Sequence, residues 1–237
     1  MKKTFLGGSF LLLYFISPAQ HTEFSAGVNA GFLSFRGSDA VSSSYIIQSD
    51  VGEGNYVNDP YSKKSGAGIG LDITVQRITK SKFIYGFSTG LEFLKHNVPV
   101  TSVEGIGGSY KVAGKIAVNS KFINLSPTAG YRFLLSSKLT LDIMAGINVA
   151  VGLGNFHETG SVTTSTDNVI TVDKETAEVP TDLRLGGQTR LSYKNFSLIA
   201  CYWAGQTNYY KGYIGGSPES YSNLFRLGLS YRLNKGK

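Results

Sequence analysis

Gly66-Ala67-Gly68-Ile69-Gly70-Leu71-Asp72-Ile73-Thr74-Val75-Gln76-Arg77 decides the fold. Ala67, Ile69, Leu71, Ile73 and Val75 hold alternate positions, with glycines and polar residues between them. Period two sends successive side chains to opposite faces, so the stretch predicts a β-strand with one oily face and one small or polar face. Its glycines superficially suggest a dinucleotide-binding loop, but they open a strand instead of linking a strand to a helix. No cofactor is expected there.

Seven further segments repeat the alternation, at residues 24–32, 83–93, 123–133, 139–151, 182–191, 196–204 and 225–233. In the penultimate one, Ile199, Cys201 and Trp203 fall opposite Phe196, Leu198, Ala200 and Tyr202, and the facing stays open. Short connectors surround Lys80-Ser81-Lys82, residues 135–138 and Lys194-Asn195. Long ones cover 37–65, 96–121, 154–181 and 205–222, beyond the usual length of loops in compact domains. Short turns on one side and long loops on the other predict an all-β, eight-stranded antiparallel transmembrane barrel, with periplasmic turns and extracellular loops. An even strand number puts both termini in the periplasm.

Composition narrows the alternatives. At a mean hydropathy of −0.04 with 41% hydrophobic residues, the chain is too apolar for disorder. Beyond its start it has no apolar run long enough for a membrane helix. One cysteine excludes an internal disulfide or a thiolate zinc site, and no metal is expected. Met1-Lys2-Lys3, the apolar residues 5–16 and Ser17-Pro18-Ala19 read as a signal peptide over residues 1–19, leaving a barrel domain over 20–237. The net charge of +7 is scattered, without the basic runs of a nucleic-acid surface.

A soluble lipocalin-like barrel would show the same alternation, and the make-up of the polar face separates the two. That face is mostly Gly, Ser, Asn and Thr, with Asp72, Glu92, Asp142 and Asp182 available to neutralise Arg132, Arg184, Arg190, Arg226 and Arg232. Such a face suits a narrow interior, with the oily face toward lipid. Phe24, Phe83, Tyr85, Tyr131, Phe133, Tyr193, Phe196 and Tyr231 cluster near short turns or termini as one aromatic girdle. Phe32, Phe93 and Tyr202 form a sparser outer belt, joined by Trp203 if it faces outward.

The whole chain, through its signal peptide, GAGIGLDITVQR, SPTAGYRFLL and the closing FRLGLSYRL, resembles the small outer-membrane barrels of Bacteroidota often labelled PorT-like. The resemblance implies an outer-membrane location and an association with protein secretion. No functional residue carries over. The chain departs from the usual terminal aromatic, ending Asn-Lys-Gly-Lys after Leu233.

No residue set demands catalysis. His96 near Glu92, or His157 beside Glu158, imitates part of an outer-leaflet lipid-modifying site, which is the alternative function; neither supplies nucleophile, base and oxyanion donors together. Asp50, Glu53, Asn55, Asn58 and Asp59 lack the spacing of a calcium loop. Cys201 reads as a packed thiol. Residues 161–172 predict a hairpin above the membrane whose edge could take a partner strand. The expectation is therefore a structural, binding or secretion-associated barrel, with outer-membrane lipids and envelope or secretion proteins as partners. A small-solute pore ranks third, because eight strands leave room only for side chains.

Overall fold

The computed structural model describes residues 19–49, 54–105, 107–165, 167–211 and 216–234. The expected signal peptide lies outside these, apart from Ala19. Twelve strands follow one another: β1 (Ala19–Arg36), β2 (Ser44–Ile47), β3 (Tyr56–Val57), β4 (Gly66–Thr79), β5 (Phe83–Gly105), β6 (Gly108–Leu134), β7 (Leu139–Gly152), β8 (Asn155–Thr163), β9 (Val169–Glu178), β10 (Asp182–Tyr193), β11 (Phe196–Gly205) and β12 (Tyr221–Arg232).

Eight of them are barrel staves, each containing one alternating segment. Around the ring, β1 pairs with β4, β4 with β5, β5 with β6, β6 with β7, β7 with β10, β10 with β11 and β11 with β12, all antiparallel. The ladder from Ser25↔Arg232 to Arg36↔Tyr221 joins β1 to β12 and closes the cylinder. Closure leaves no open edge along the staves, which a sheet immersed in lipid requires.

The outer face is oily: Ile69 is 69% exposed and Leu229 62%, with Leu71, Ile73, Leu91, Leu198 and Leu227 beside them. At about 3.4 Å per residue and a tilt of about 40°, Phe83 to Phe93 rises about 26 Å. That matches the apolar band of membrane barrels, about 25 Å tall. Inward glycines permit the narrow bore. A Cβ on Gly130 would meet the Ile143 carbonyl at 2.0 Å, and one on Gly186 the Tyr202 carbonyl at the same distance.

The predicted loop over residues 96–121 is instead strand. β5 and β6 run on past the apolar band and stay paired from Leu94↔Ser120 to Gly105↔Gly108. The expected hairpin is present as β8 and β9, laid against β6 through Ala117↔Thr159 and Asn119↔His157. With β2 on the other side of β5, and β3 on β2, these extensions build a lobe above the barrel.

Candidate functional site: the filled barrel and its lobe

Within the staves, polar side chains are bound to one another. Near the short turns, Arg132 grips Glu23 through Nη1 and Nη2, each 2.8 Å from a carboxylate oxygen. Its Nε and Nη2 reach Asp142 at 2.7 Å. Arg232 Nη2 adds a 3.0 Å contact to Glu23. Higher in the barrel, Arg184 Nε lies 2.7 Å from Asp182 and its guanidinium stacks on Phe122. Asp182 also accepts the hydroxyls of Tyr209 and Ser222. Arg226 holds Glu92 through Nη2 at 2.7 Å and also through Nε.

Seven of the nine predicted interior charges thus enter ion pairs. Asp72 and Arg190 do not meet directly: Asp72 takes Asn29 and Thr74, and Arg190 takes Ser25. Both line an internal cavity of about 50 Å³ together with Glu92, Asn124, Gln188, Cys201 and Arg226. Glu23 was missed, although it lies two residues before Ser25 on the same inward face. Including it, five carboxylates face five guanidiniums inside.

Phe24, Phe83, Tyr85, Phe133, Tyr193, Phe196 and Tyr231 are exposed on the outer face, and Tyr131 is half-buried there. Phe83 and Tyr131 meet edge-on at 5.6 Å, as do Phe196 and Tyr231 at 5.1 Å. The open facing of β11 resolves with Ser197, Ile199, Cys201 and Trp203 inward and Phe196, Leu198 and Tyr202 outward. Trp203 is 1% exposed, so it belongs to the interior and not to the outer belt.

At the long-loop end the interior turns oily. Leu33, Leu94, Phe122 and Trp203 lie in the barrel mouth, and the same core continues through Val98, Val118, Ile116, Val100 and Phe156 into the lobe. Phe35, Tyr61 and Tyr209 pack edge to face or tilted across the opening, with centroids 4.9 to 5.5 Å apart. His96 is buried against Phe35, and its Nε2–H donates to the Pro60 carbonyl at 2.8 Å. Burial lowers its pKa to about 4, so the ring is neutral at ordinary pH.

The lobe closes where β3 passes β9, and side chains join that seam. Asn55 Nδ2 donates to the Thr171 carbonyl at 2.9 Å. The Val57 amide donates to Glu158 Oε2 at 2.7 Å, and Lys174 lies 4.4 Å over the Tyr56 ring. Glu158 is buried, and burial lifts its pKa to about 7 against the opposing pull of the Val57 amide and Lys174.

The two catalytic sketches do not assemble. Glu92 is held by Arg226, whereas His96 is held by Pro60. His157 points outward to Asp173 at 2.7 Å, while its neighbour Glu158 points into the core. Of the acidic loop, Asp50 and Glu53 lie outside the described residues. Asn55 and Asn58 instead bond Thr171 and Asp59, and the described residues contain no cluster of three metal-ligating side chains.

No family model and no curated protein matches the chain. Among solved structures it is similar to Ail, the attachment invasion locus protein of Yersinia pestis, solved in complex with the heparin analogue sucrose octasulfate. That match has 14% identity over 90% of this chain and 99% of the other, with a TM-score of 0.40. Neisserial surface protein A gives 14% identity, the same coverages and a TM-score of 0.41. The translocator domain of the autotransporter NalP from Neisseria meningitidis gives 11%, 96% of this chain, 93% of the other and 0.31. All three are outer-membrane β-barrel proteins.

Proposed function

We propose that this is an integral outer-membrane protein whose barrel is a filled anchor and whose lobe is a binding platform facing outward, with both termini in the periplasm. The observation that carries this reading is the inversion of the interior. Within the apolar band the bore holds hydrogen-bonded polar side chains and charges that are mostly ion-paired; above it the same strands enclose a hydrophobic core. Such a molecule presents a rigid folded surface beyond the membrane and needs neither a conduit nor a catalytic centre. A secretion-associated role of the PorT-like kind is one form of that platform, with an envelope or secreted protein as partner.

Membrane fractionation tests the location, and the expected result is recovery with the outer membrane. A band that migrates faster unheated than boiled in SDS gels is the expected mark of a closed barrel. Recovery in a detergent-free soluble fraction would overturn the reading.

A further inference from the structure

Four lysines that are scattered in the sequence are gathered by the fold. Lys63 and Lys64 are exposed just before β4, Lys95 lies on β5 and Lys121 on β6. The Asn97 amide donates to the Lys64 carbonyl at 3.3 Å, and Ser65 bridges His96, which ties the β4 entry to β5. Lys121 is the register partner of Phe93, and Lys95 follows Phe93 by two residues on the same outward face. All four therefore occupy one arc over β4, β5 and β6, directly above Ile69, Phe93 and Ile123. Among the described residues none has a carboxylate within ion-pair distance. The opposite arc, over β7, β10 and β11, carries Val151, Leu153, Leu183 and Ala204 at this level and no outward lysine or arginine of its own; only Arg36 of β1 reaches its edge, donating from Nη2 to the Gly205 carbonyl at 2.8 Å.

We infer that this arc binds a phosphorylated glycolipid of the outer leaflet, its phosphates on Lys63, Lys64, Lys95 and Lys121 and its acyl chains along the oily staves below. Two features identify the ligand class. Unpaired ammonium groups at headgroup height favour phosphate, since the attraction is strong close to a membrane surface. The apolar strip that begins immediately beneath them favours chains covalently attached to that phosphate, which a soluble anion lacks. The inference rests on the proposed orientation, with the long-loop end outward.

Native mass spectrometry of the full chain in neutral detergent tests it, with bisphosphorylated lipid A, dephosphorylated lipid A and inorganic pyrophosphate as probes. The parent should retain bisphosphorylated lipid A, and the K63Q/K64Q/K95Q/K121Q variant should bind it at least about tenfold more weakly. A K80Q/K82Q/K138Q/K194Q variant, with the same charge change at the other rim, should bind like the parent. Unchanged heat-shifted gel mobility shows that both variants are folded. Equal retention by the first variant, equal binding of dephosphorylated lipid A, or competition by pyrophosphate at the lipid's own affinity would overturn the inference. Labelling of S161C on intact cells by a membrane-impermeant maleimide reports orientation separately. A labelled cysteine with no lipid retention removes only the lipid site; an unlabelled one removes both the orientation and the assignment to that leaflet.

Discussion

The Arg132 guanidinium is shared by two carboxylates, Glu23, which also meets Arg232 and His21, and Asp142, which has no other ion pair among the described residues, so its loss is not a simple loss of attraction. Arg132→Ala would leave Glu23 and Asp142 poorly solvated beside one another, and breaking a buried pair typically costs about 3 to 5 kcal/mol. The expected outcome is a lowered urea midpoint for barrel unfolding, read from gel mobility, with Arg132→Lys intermediate because it forfeits the two-pronged geometry. A midpoint equal to the parent's would remove the ion cluster from the account of stability. Interior polarity was legible in the sequence from parity alone. Partner choice was not, because Asp72 and Arg190 share the inward face yet are separated by a cavity, a distance that alternation does not encode.

Glu158 provides a second test at the residue scale, through pH. Its folded pKa of about 7 lies above the ordinary carboxylate value, so the folded lobe binds a proton that the unfolded one releases between about pH 4.5 and 7. Stability is then greatest below that window and falls as pH rises through it. The ceiling on the loss is about 3 kcal/mol. Lys174, Thr176, Tyr61 and the Val57 amide face the carboxyl, and the β3 to β9 seam is where the loosening should appear. Amide exchange at Val57 should be faster at pH 8 than at pH 5.5 after correction for intrinsic rates. Glu158→Gln should flatten that difference; an unchanged pH response in this variant would exclude Glu158 as its source.

At the scale of elements, β5 and β6 explain both the success and the failure of reading strands from alternation. Their parity holds through the membrane band and on as far as Val100, where β5 takes a register shift before Ser102. On β5, Glu92, Leu94, His96, Val98 and Val100 all point inward, but the chemistry of that face changes from ionic to apolar after Glu92. Outward positions change in the opposite sense, from Leu91 and Phe93 to Lys95 and Asn97. A reading that follows the oily face finds a phase slip at Phe93 and ends the strand there. Trp203 was ambiguous for the same reason, since β11 crosses from the polar bore into the apolar mouth. Membrane staves and the β8–β9 hairpin were therefore legible, whereas the run of β5 and β6 into the lobe was hidden by a change of surroundings along continuous strands. It follows that the two parts can be damaged separately. Val98→Asp places an unpaired charge in the lobe core, where it has no counter-ion. Limited proteolysis should then cut within residues 97–118 while the boiled-versus-unboiled gel shift persists. Loss of both together would show that the lobe is needed for the staves to close.

For the whole molecule, the question is whether any continuous path crosses it. Eight staves enclose a bore that side chains can fill, and here three successive layers fill it. The Arg132, Glu23 and Asp142 cluster crosses the short-turn end. The middle keeps a cavity of about 50 Å³, lined by polar side chains and roomy enough for a few waters. Leu33, Leu94, Phe122 and Trp203, with the aromatic group of Phe35, Tyr61 and Tyr209 above them, fill the mouth. An ion entering the middle would have to displace an ion pair on one side or apolar packing on the other, and both layers are fixed to rigid strands. Planar bilayer recordings of the purified protein should accordingly show no steady conductance step. Replacing Tyr61 and Tyr209 by alanine should leave the current at baseline, because the lower ionic layer is untouched. A large, stable step in the parent would mean that the charged layer opens in the membrane, and the filled-anchor reading would fail.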